Sequence, residues 1–350
     1  MDHRFRTFTV FLALLLGTSA CQSILPDATA TPHAAPTLTA APLPVIIDTD
    51  MAADDWMAIL YLLQRTDIAV QAITVTGTGE AHCDPGVQNA LGLVALADHP
   101  PVPVACGRQA PLAGQHVFPD DWRRAVDSLM GLSLPEGQNP ASGGAALDLL
   151  ATTLSASPEK ITILSLGPLT NLGELFQSQP EIIQKVRGIY SMGGAVQVAG
   201  NMESSGMDNQ VAEWNIYVDP HAANLVFASG APVSLVPLDA TNHAPITMEF
   251  YKALRKARLT PEAGFVYEVL NRQERFIKAG GYYFWDPLAA AVLADESLAT
   301  WEQRSLCVIE EEGPTSGQTV TGADCPAVRV AVSADRARFE EVFVDVLNNP

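Results

Sequence analysis

The chain has 350 residues, 48% of them hydrophobic, which suits one large α/β domain or two small ones with a sizeable core. Its 20 Lys and Arg stand against 39 Asp and Glu, a net charge of -19, so the surface repels phosphate backbones and a nucleic-acid polymer is excluded as partner. The five cysteines, Cys21, Cys83, Cys106, Cys307 and Cys325, show neither a CxxC pair nor zinc-ligand spacing. Cys307 and Cys325 flank a turn region and read equally as a disulfide or as two separate thiols.

Arg4 and Arg6 precede a short apolar run from Phe8 to Leu16, the pattern of an export signal. Gly17 to Cys21 resembles a bacterial lipobox, with Cys21 as the lipidated mature N-terminus. Thr18 stands where an aliphatic residue is usual, and the alternative is an ordinary secretory signal. Residues 1–21 therefore read as a signal peptide with lipobox. Residues 22–43, rich in Pro, Ala and Thr, read as a disordered tether. Residues 44–350 read as one folded domain, exported and lipid-anchored to the cell envelope, or else secreted or periplasmic.

Within that domain strands and helices alternate. Val45 to Ile47, Val70 to Thr76, Val102 to Cys106, Ile161 to Ser165, Gly188 to Met192 and Val233 to Val236 are short apolar strand runs. Helical patterns fall between them, at Asp54 to Gln64, Asn89 to Ala97, Ala145 to Leu154, Leu169 to Phe176 and Pro220 to Ala228. Thr247 to Ala279 reads as helix with a break near Pro261, and Leu306 to Val332 as short strands around Gly313 and Gly317. A last helix runs from Asp335 to Leu347, with Ser333 as candidate cap. This rhythm predicts an α/β fold, a mainly parallel central sheet flanked by helices, with its ligand crevice beyond the carboxyl ends of the strands.

The strongest chemical signal is Asp48-Thr49-Asp50-Met51-Ala52-Ala53-Asp54-Asp55. Four carboxylates follow a buried strand directly, where uncompensated charge would repel and take up protons. A hard divalent cation resolves the conflict, and calcium accepts several carboxylate and carbonyl oxygens. A simple acidic helix N-terminus would account for Asp54 or Asp55 but not for Asp48 and Asp50.

The segment VIIDTDMAADDWMAI resembles the opening signature of the inosine-uridine preferring nucleoside hydrolases. In order along the chain, ILSLGPLTNL (Ile163 to Leu172), YSMGGAV (Tyr190 to Val196), Gly200-Asn201, AEWNIYVDPHAA (Ala212 to Ala223) and WDPLAAA (Trp285 to Ala291) are similar to later motifs of that family. The resemblance spans Pro44 to Leu347 and implies a Rossmann-like nucleoside hydrolase fold. It implies calcium held by Asp50, Asp55, Asp286 and the Leu166 carbonyl, with Asp50 also the general base for a water at the ion. It implies ribose recognition by Asp54, Asn201, Glu213 and Asn215, with Asp286 near them and Asn89 supporting the acidic cluster. The reaction is then hydrolysis of the N-glycosidic bond of a ribonucleoside to free base and ribose, with purine salvage outside the cytoplasm as its setting and a homodimer or homotetramer as its assembly.

Two positions depart from the family pattern. Trp285 stands where many members carry a histidine; an indole cannot donate a useful proton but can stack on a purine, which points to purine nucleosides. The segment Phe118 to Trp122 could add a second ring. Gly77-Thr78 stands where Gly-Asn is usual, so a side chain expected to order a metal ligand or the water is altered, with His82 or Asn89 as candidates to compensate. Competing readings are a DxD phosphatase with Asp48 as nucleophile, and a nucleoside-binding lipoprotein without catalysis.

Overall fold

The computed structural model describes residues 41–137, 145–202 and 206–349; the leader ending at Cys21 and residues 22–40 of the tether lie outside the described residues. Among the described residues no helix is long and apolar enough to cross a membrane. The strands are β1 (Leu43–Thr49), β2 (Ile68–Val75), β3 (Val104–Cys106), β4 (Ile161–Ser165), β5 (Val186–Met192), β6 (Val233–Val236), β7 (Ala299–Val308), β8 (Thr319–Thr321) and β9 (Ala327–Ala334). They form one sheet in the order β3-β2-β1-β4-β5-β6-β9-β7-β8.

Val45, Ile46 and Ile47 are β-branched and fully buried, as a central strand of a doubly covered sheet must be. Accordingly β1 pairs in parallel with β2 on one side and β4 on the other. All pairings from β3 across to β9 are parallel, and only β7 is reversed, pairing antiparallel with β9 on one side and β8 on the other. Successive strands step outward from β1 in one direction through β2 and β3, and in the other through β4, β5 and β6. The order thus reverses between β1 and β4, which opens a crevice beyond their carboxyl ends.

Alternation along β1 sends Val45 and Ile47 into one core and Ile46 into the other. The first core takes the helices Ala53–Leu63 and Trp285–Ala294, which pack on each other. The second takes the helices Ala146–Ala156, Thr170–Ser178 and Pro220–Phe227. The predicted α/β architecture is therefore present as one domain.

Several boundaries differ from expectation. The helix expected from Asn89 begins at Cys83. The 247–279 stretch is three helices, Met248–Ala257, Pro261–Arg272 and Glu274–Lys278. Proline at the start of the second is pre-set for a first helical turn, and Thr260 caps it by accepting from Ala263 N at 3.1 Å. The last helix, Arg336–Asn348, is capped by Asp335, whose carboxylate accepts from Arg338 N at 3.2 Å; Ser333 lies in β9 instead. Helices Asp120–Asp127 and Trp285–Ala294 were not anticipated.

Two disulfides join Cys307 to Cys325 and Cys83 to Cys106. The first resolves the alternative left open by the sequence, and the second went unread. It clips the start of the Cys83–Leu96 helix to the end of β3. Replacing Cys307 and Cys325 together by serine is expected to lower the unfolding free energy by about 2–4 kcal/mol in urea titration, since the unfolded chain loses its crosslink. An unchanged midpoint would show that the bridge does not restrain the unfolded chain.

Candidate active site

The chain leaves β1 at Thr49 and must turn at once into the Ala53–Leu63 helix. Met51 makes the turn with φ at +60°, a left-handed conformation that is costly for a residue with a side chain. Surrounding hydrogen bonds hold it there. Met51 N donates to Thr49 Oγ1 at 3.0 Å and to Asp55 Oδ1 at 3.3 Å, and the Trp56 indole N–H donates to Met51 O at 2.9 Å. Asp55 Oδ1 also accepts from Asp50 N at 3.2 Å and from the Thr49 hydroxyl. One carboxylate thereby organises the whole strand-to-helix corner.

The corner aims Asp50 into the crevice, and its neighbours leave it almost no room. A Cβ at Gly79 would lie 2.0 Å from Asp50 Cβ, and one at Gly167 would lie 2.6 Å from it. Only glycine allows this approach on either side. Asp50 Oδ1 accepts from Ala52 N at 3.3 Å and Oδ2 from Glu80 N at 3.2 Å.

Asp286 arrives from the other end of the domain, in the first turn of the Trp285–Ala294 helix. Asp54 and Asp55 occupy the first turn of the Ala53–Leu63 helix. Two helix N-termini thus face the same carboxylates and favour their charge. They do not satisfy it. One oxygen from each of Asp54, Asp55 and Asp286 lies within 4.8 Å of the others, while Asp55 Oδ2 and Asp286 Oδ1 are buried without a hydrogen-bond partner. An all-oxygen donor set with bare lone pairs fits a hard divalent cation. The group within that distance among the described residues is Asp54, Asp55 and Asp286, whereas the expected ligand set took Asp50 in place of Asp54; Asp50 lines the same cavity.

Burial dominates the titration of these groups. It raises Asp54 to about 7, with the Asp50 charge adding to the effect, and raises Asp50 against the hydrogen bonds that it accepts. Burial likewise holds Asp55, Asp286 and Glu80 well above the usual carboxylate range. Glu213 rises to about 7 for the same reason, although three backbone N–H groups oppose it.

The cavity above this floor has a volume of about 780 Å³. Leu166 follows β4 and lines it; its carbonyl accepts from Asn215 Nδ2 at 2.9 Å. Glu213 caps the short Trp214–Val218 helix and also accepts from Gly194 N at 2.8 Å, which fixes its carboxylate at the cavity wall. Asn201 lines the wall with its Oδ1 accepting from Trp214 N at 3.2 Å. The sequence-predicted residues Asp50, Asp54, Asp55, Leu166, Asn201, Glu213, Asn215, Trp285 and Asp286 all border this one space.

Aromatic rings build the rest. Phe118 stacks on Trp214 with centroids 5.0 Å apart, and Trp122 tilts against Trp214 at 5.3 Å. Trp285 packs between Tyr282 at 5.5 Å and Tyr283 at 5.7 Å, with Phe276 beyond Tyr282 at 5.6 Å. The Phe118 to Trp122 segment thus does supply rings to the cavity. Trp214 went unread although it lies inside a recognised motif, because its two neighbours Glu213 and Asn215 carried the recognisable polar pattern.

Other expectations are placed elsewhere. Asn89 does not border the cavity; its amide donates to the carbonyls of Val126 at 3.2 Å and Asp127 at 3.4 Å, pinning the Asp120–Asp127 helix rather than the acidic cluster. His82 pairs with Asp127 at 2.7 Å. Thr78 turns its hydroxyl to Thr76 at 2.9 Å and Thr170 at 3.0 Å, away from the acidic floor. Asp48, the nucleophile of the phosphatase alternative, is fully buried beneath the cavity, where Thr74 and Asn171 donate to it at 2.6 and 2.7 Å. A side chain so enclosed cannot attack a phosphate ester.

A family model described as inosine-uridine preferring nucleoside hydrolase matches residues 45–341. A pyrimidine-specific ribonucleoside hydrolase, RihA, of Salmonella schwarzengrund is 33% identical over 318 residues, covering 87% of this chain and 98% of its own. Among solved structures, a plant nucleoside hydrolase superimposes with a TM-score of 0.79 at 29% identity, covering 88% of this chain and all of its own. A purine-preferring ribonucleoside hydrolase of Gardnerella vaginalis gives 0.74 at 27% identity, with coverage of 87% and 98%.

The raised carboxyl groups set the pH dependence of the cation-free protein. Asp48, Asp54 and Glu213 bind protons more tightly folded, near 7, than their unfolded value near 4. The folded state therefore holds more protons between those limits, and stability falls as pH rises from about 4 to about 7. A cation held by the ionised cluster would reverse the loss. In thermal unfolding, the chelated protein should melt lower at pH 7.5 than at pH 5, and added calcium should raise the melting temperature most at the higher pH. A calcium effect independent of pH would contradict this assignment.

Proposed function

The chain belongs to the inosine-uridine preferring nucleoside hydrolase family, a family of N-glycosyl hydrolases, and on that premise we propose that it hydrolyses purine ribonucleosides with calcium as its metal. The observation that carries the reading is the meeting of a buried oxygen-only cluster with a ring-lined cavity in one space. The Salmonella relative is pyrimidine-specific and the Gardnerella neighbour purine-preferring, so family membership does not choose the base. Trp285 and its flanking tyrosines favour the larger, more polarisable purine.

In this reading Asp54, Asn201, Glu213 and Asn215 take the ribose hydroxyls and hold the ring over the acidic floor. Asp55, Asp286, Asp50 and the Leu166 carbonyl would hold the ion, which when bound would neutralise their charge and acidify a water. Asp50, held rigid between Gly79 and Gly167, takes a proton from the attacking water. The surrounding carboxylates stabilise the oxocarbenium-like sugar as the bond to the base breaks. Trp285 covers the face of the departing base. Cys21 anchors the domain outside the cytoplasm by its lipid, and the protein assembles as a homodimer or homotetramer.

The test is release of base and reducing sugar from inosine, adenosine, guanosine, uridine and cytidine. Purines should react fastest, chelation should abolish turnover, and Asp50→Asn should lower kcat by roughly a hundredfold or more. The first-formed sugar should be the inverted anomer by NMR; net retention or calcium-independent turnover would overturn the mechanism. For the anchor, Cys21→Ala should move the protein from the membrane fraction to the soluble fraction, and a wild type already soluble after export would refute it.

A further inference from the structure

The loop after β2 departs from the family pattern at Thr78, and Thr78 sends nothing into the cavity: its hydroxyl joins Thr76 and Thr170, and Thr170 passes on to Asp219 at 2.8 Å. Two residues later, Glu80 does line the cavity. The backbone around it is tightly held. Gly79 N donates to Thr76 O at 3.1 Å, Glu80 N to Asp50 Oδ2 at 3.2 Å and Ala81 N to Asp50 O at 2.9 Å. Arg123 donates to Gly77 O at 3.2 Å and Ala81 O at 3.3 Å, and the Cys83–Cys106 bridge follows directly. The Glu80 carboxyl itself has no hydrogen-bond or ion-pair partner among the described residues. Its electrostatic neighbours are Asp50 and Asp54 and, from another wall of the same cavity, the hydroxyl of Tyr282.

Tyr282 is in the same condition. Its ring is fixed by Phe276 and Trp285, yet its hydroxyl is buried and unpartnered. A buried polar group without a partner is a standing cost, and the Tyr282 hydroxyl with the half-buried, unpartnered Glu80 carboxyl on the same cavity marks a place where a ligand completes the bonding. The ribose hydroxyls already have Asp54, Asn201, Glu213 and Asn215. The rings of Phe118, Trp122, Trp214 and Trp285 can cover the faces of a base but leave its edge unmatched.

Resting on the nucleoside hydrolase reading, we infer that Glu80 and Tyr282 hydrogen-bond the edge of the leaving nucleobase and are specificity-determining residues for it. A carboxylate accepts and a phenol can donate, which matches an edge presenting a donor beside an acceptor, as in hypoxanthine or guanine. Losing either contact leaves an unmatched group on the base in a water-poor pocket.

The test compares inosine with p-nitrophenyl β-D-ribofuranoside, which has the sugar but no base edge and a leaving group that departs unaided. Glu80→Gln and Tyr282→Phe should each lower kcat/KM for inosine by about tenfold or more, against a change within about threefold for the nitrophenyl riboside. Equal losses on both substrates in both variants would mean that these residues act through Asp50 or the fold, and would overturn the proposal. So would full activity of both variants on inosine. Wild-type cleavage of the nitrophenyl riboside checks the hydrolase reading on its own, and a wild type inert to both substrates would overturn that reading and this inference with it.

Discussion

Everything about the site follows from burying like charges together. Asp50, Asp55 and Asp286 are at most 2% exposed, and Asp54 sits beside them. No lysine or arginine salt-bridges any of them among the described residues; Arg123 acts on Asp50 only electrostatically. What the protein itself provides is directional rather than ionic: two helix N-termini, backbone N–H groups and the Thr49 hydroxyl. Such donors orient carboxylates well and neutralise them poorly. The remaining deficit is the binding energy available to a cation, so affinity for the metal and instability without it are two aspects of one arrangement.

The surrounding fold is arranged to keep those oxygens from moving. Met51 in its left-handed turn, the two glycines pressed on Asp50 and the Glu213 cap each remove a freedom that a solvated carboxylate would keep. Rigidity of this kind comes from the sheet. β1 and β4 are locked in register from Val45 opposite Thr162 to Asp48 opposite Ser165, and Leu166 N then donates to Asp48 O at 2.8 Å. The two chain segments that frame the floor are thus fixed relative to each other before any side chain is considered.

Much of this was legible in residue order. The β-branched run before Asp48 marked a central strand, and four carboxylates after it marked a site, because local pattern and local chemistry coincide there. Leu166, Asn201, Glu213, Asn215 and Asp286 were legible only through ordered motifs, since nothing local to Asp286 says that its helix starts beside Asp54. Elements lacking such coincidence were lost. The Asp120–Asp127 helix has one buried residue, Val126, and so shows no apolar stripe. Asn89 was assigned to the acidic floor by resemblance, but its helix begins six residues earlier than expected and turns the amide towards Val126. Glu80 offered no signal beyond one more acidic residue in a loop; its significance depends on the Gly79 contact, which is purely three-dimensional.

The two disulfides bear on how the chain reaches this state. Four cysteines can pair in three ways. Here each is joined to its neighbour in sequence, at separations of 23 and 18 residues, without nesting or crossing. A mispaired bridge between the two sets would enclose roughly ten times as much chain and cost about 2 kcal/mol more in closure entropy. Polymer statistics therefore already favour the native bridges while the chain is still open, so the order of the cysteines and the folded contacts point to the same pairing.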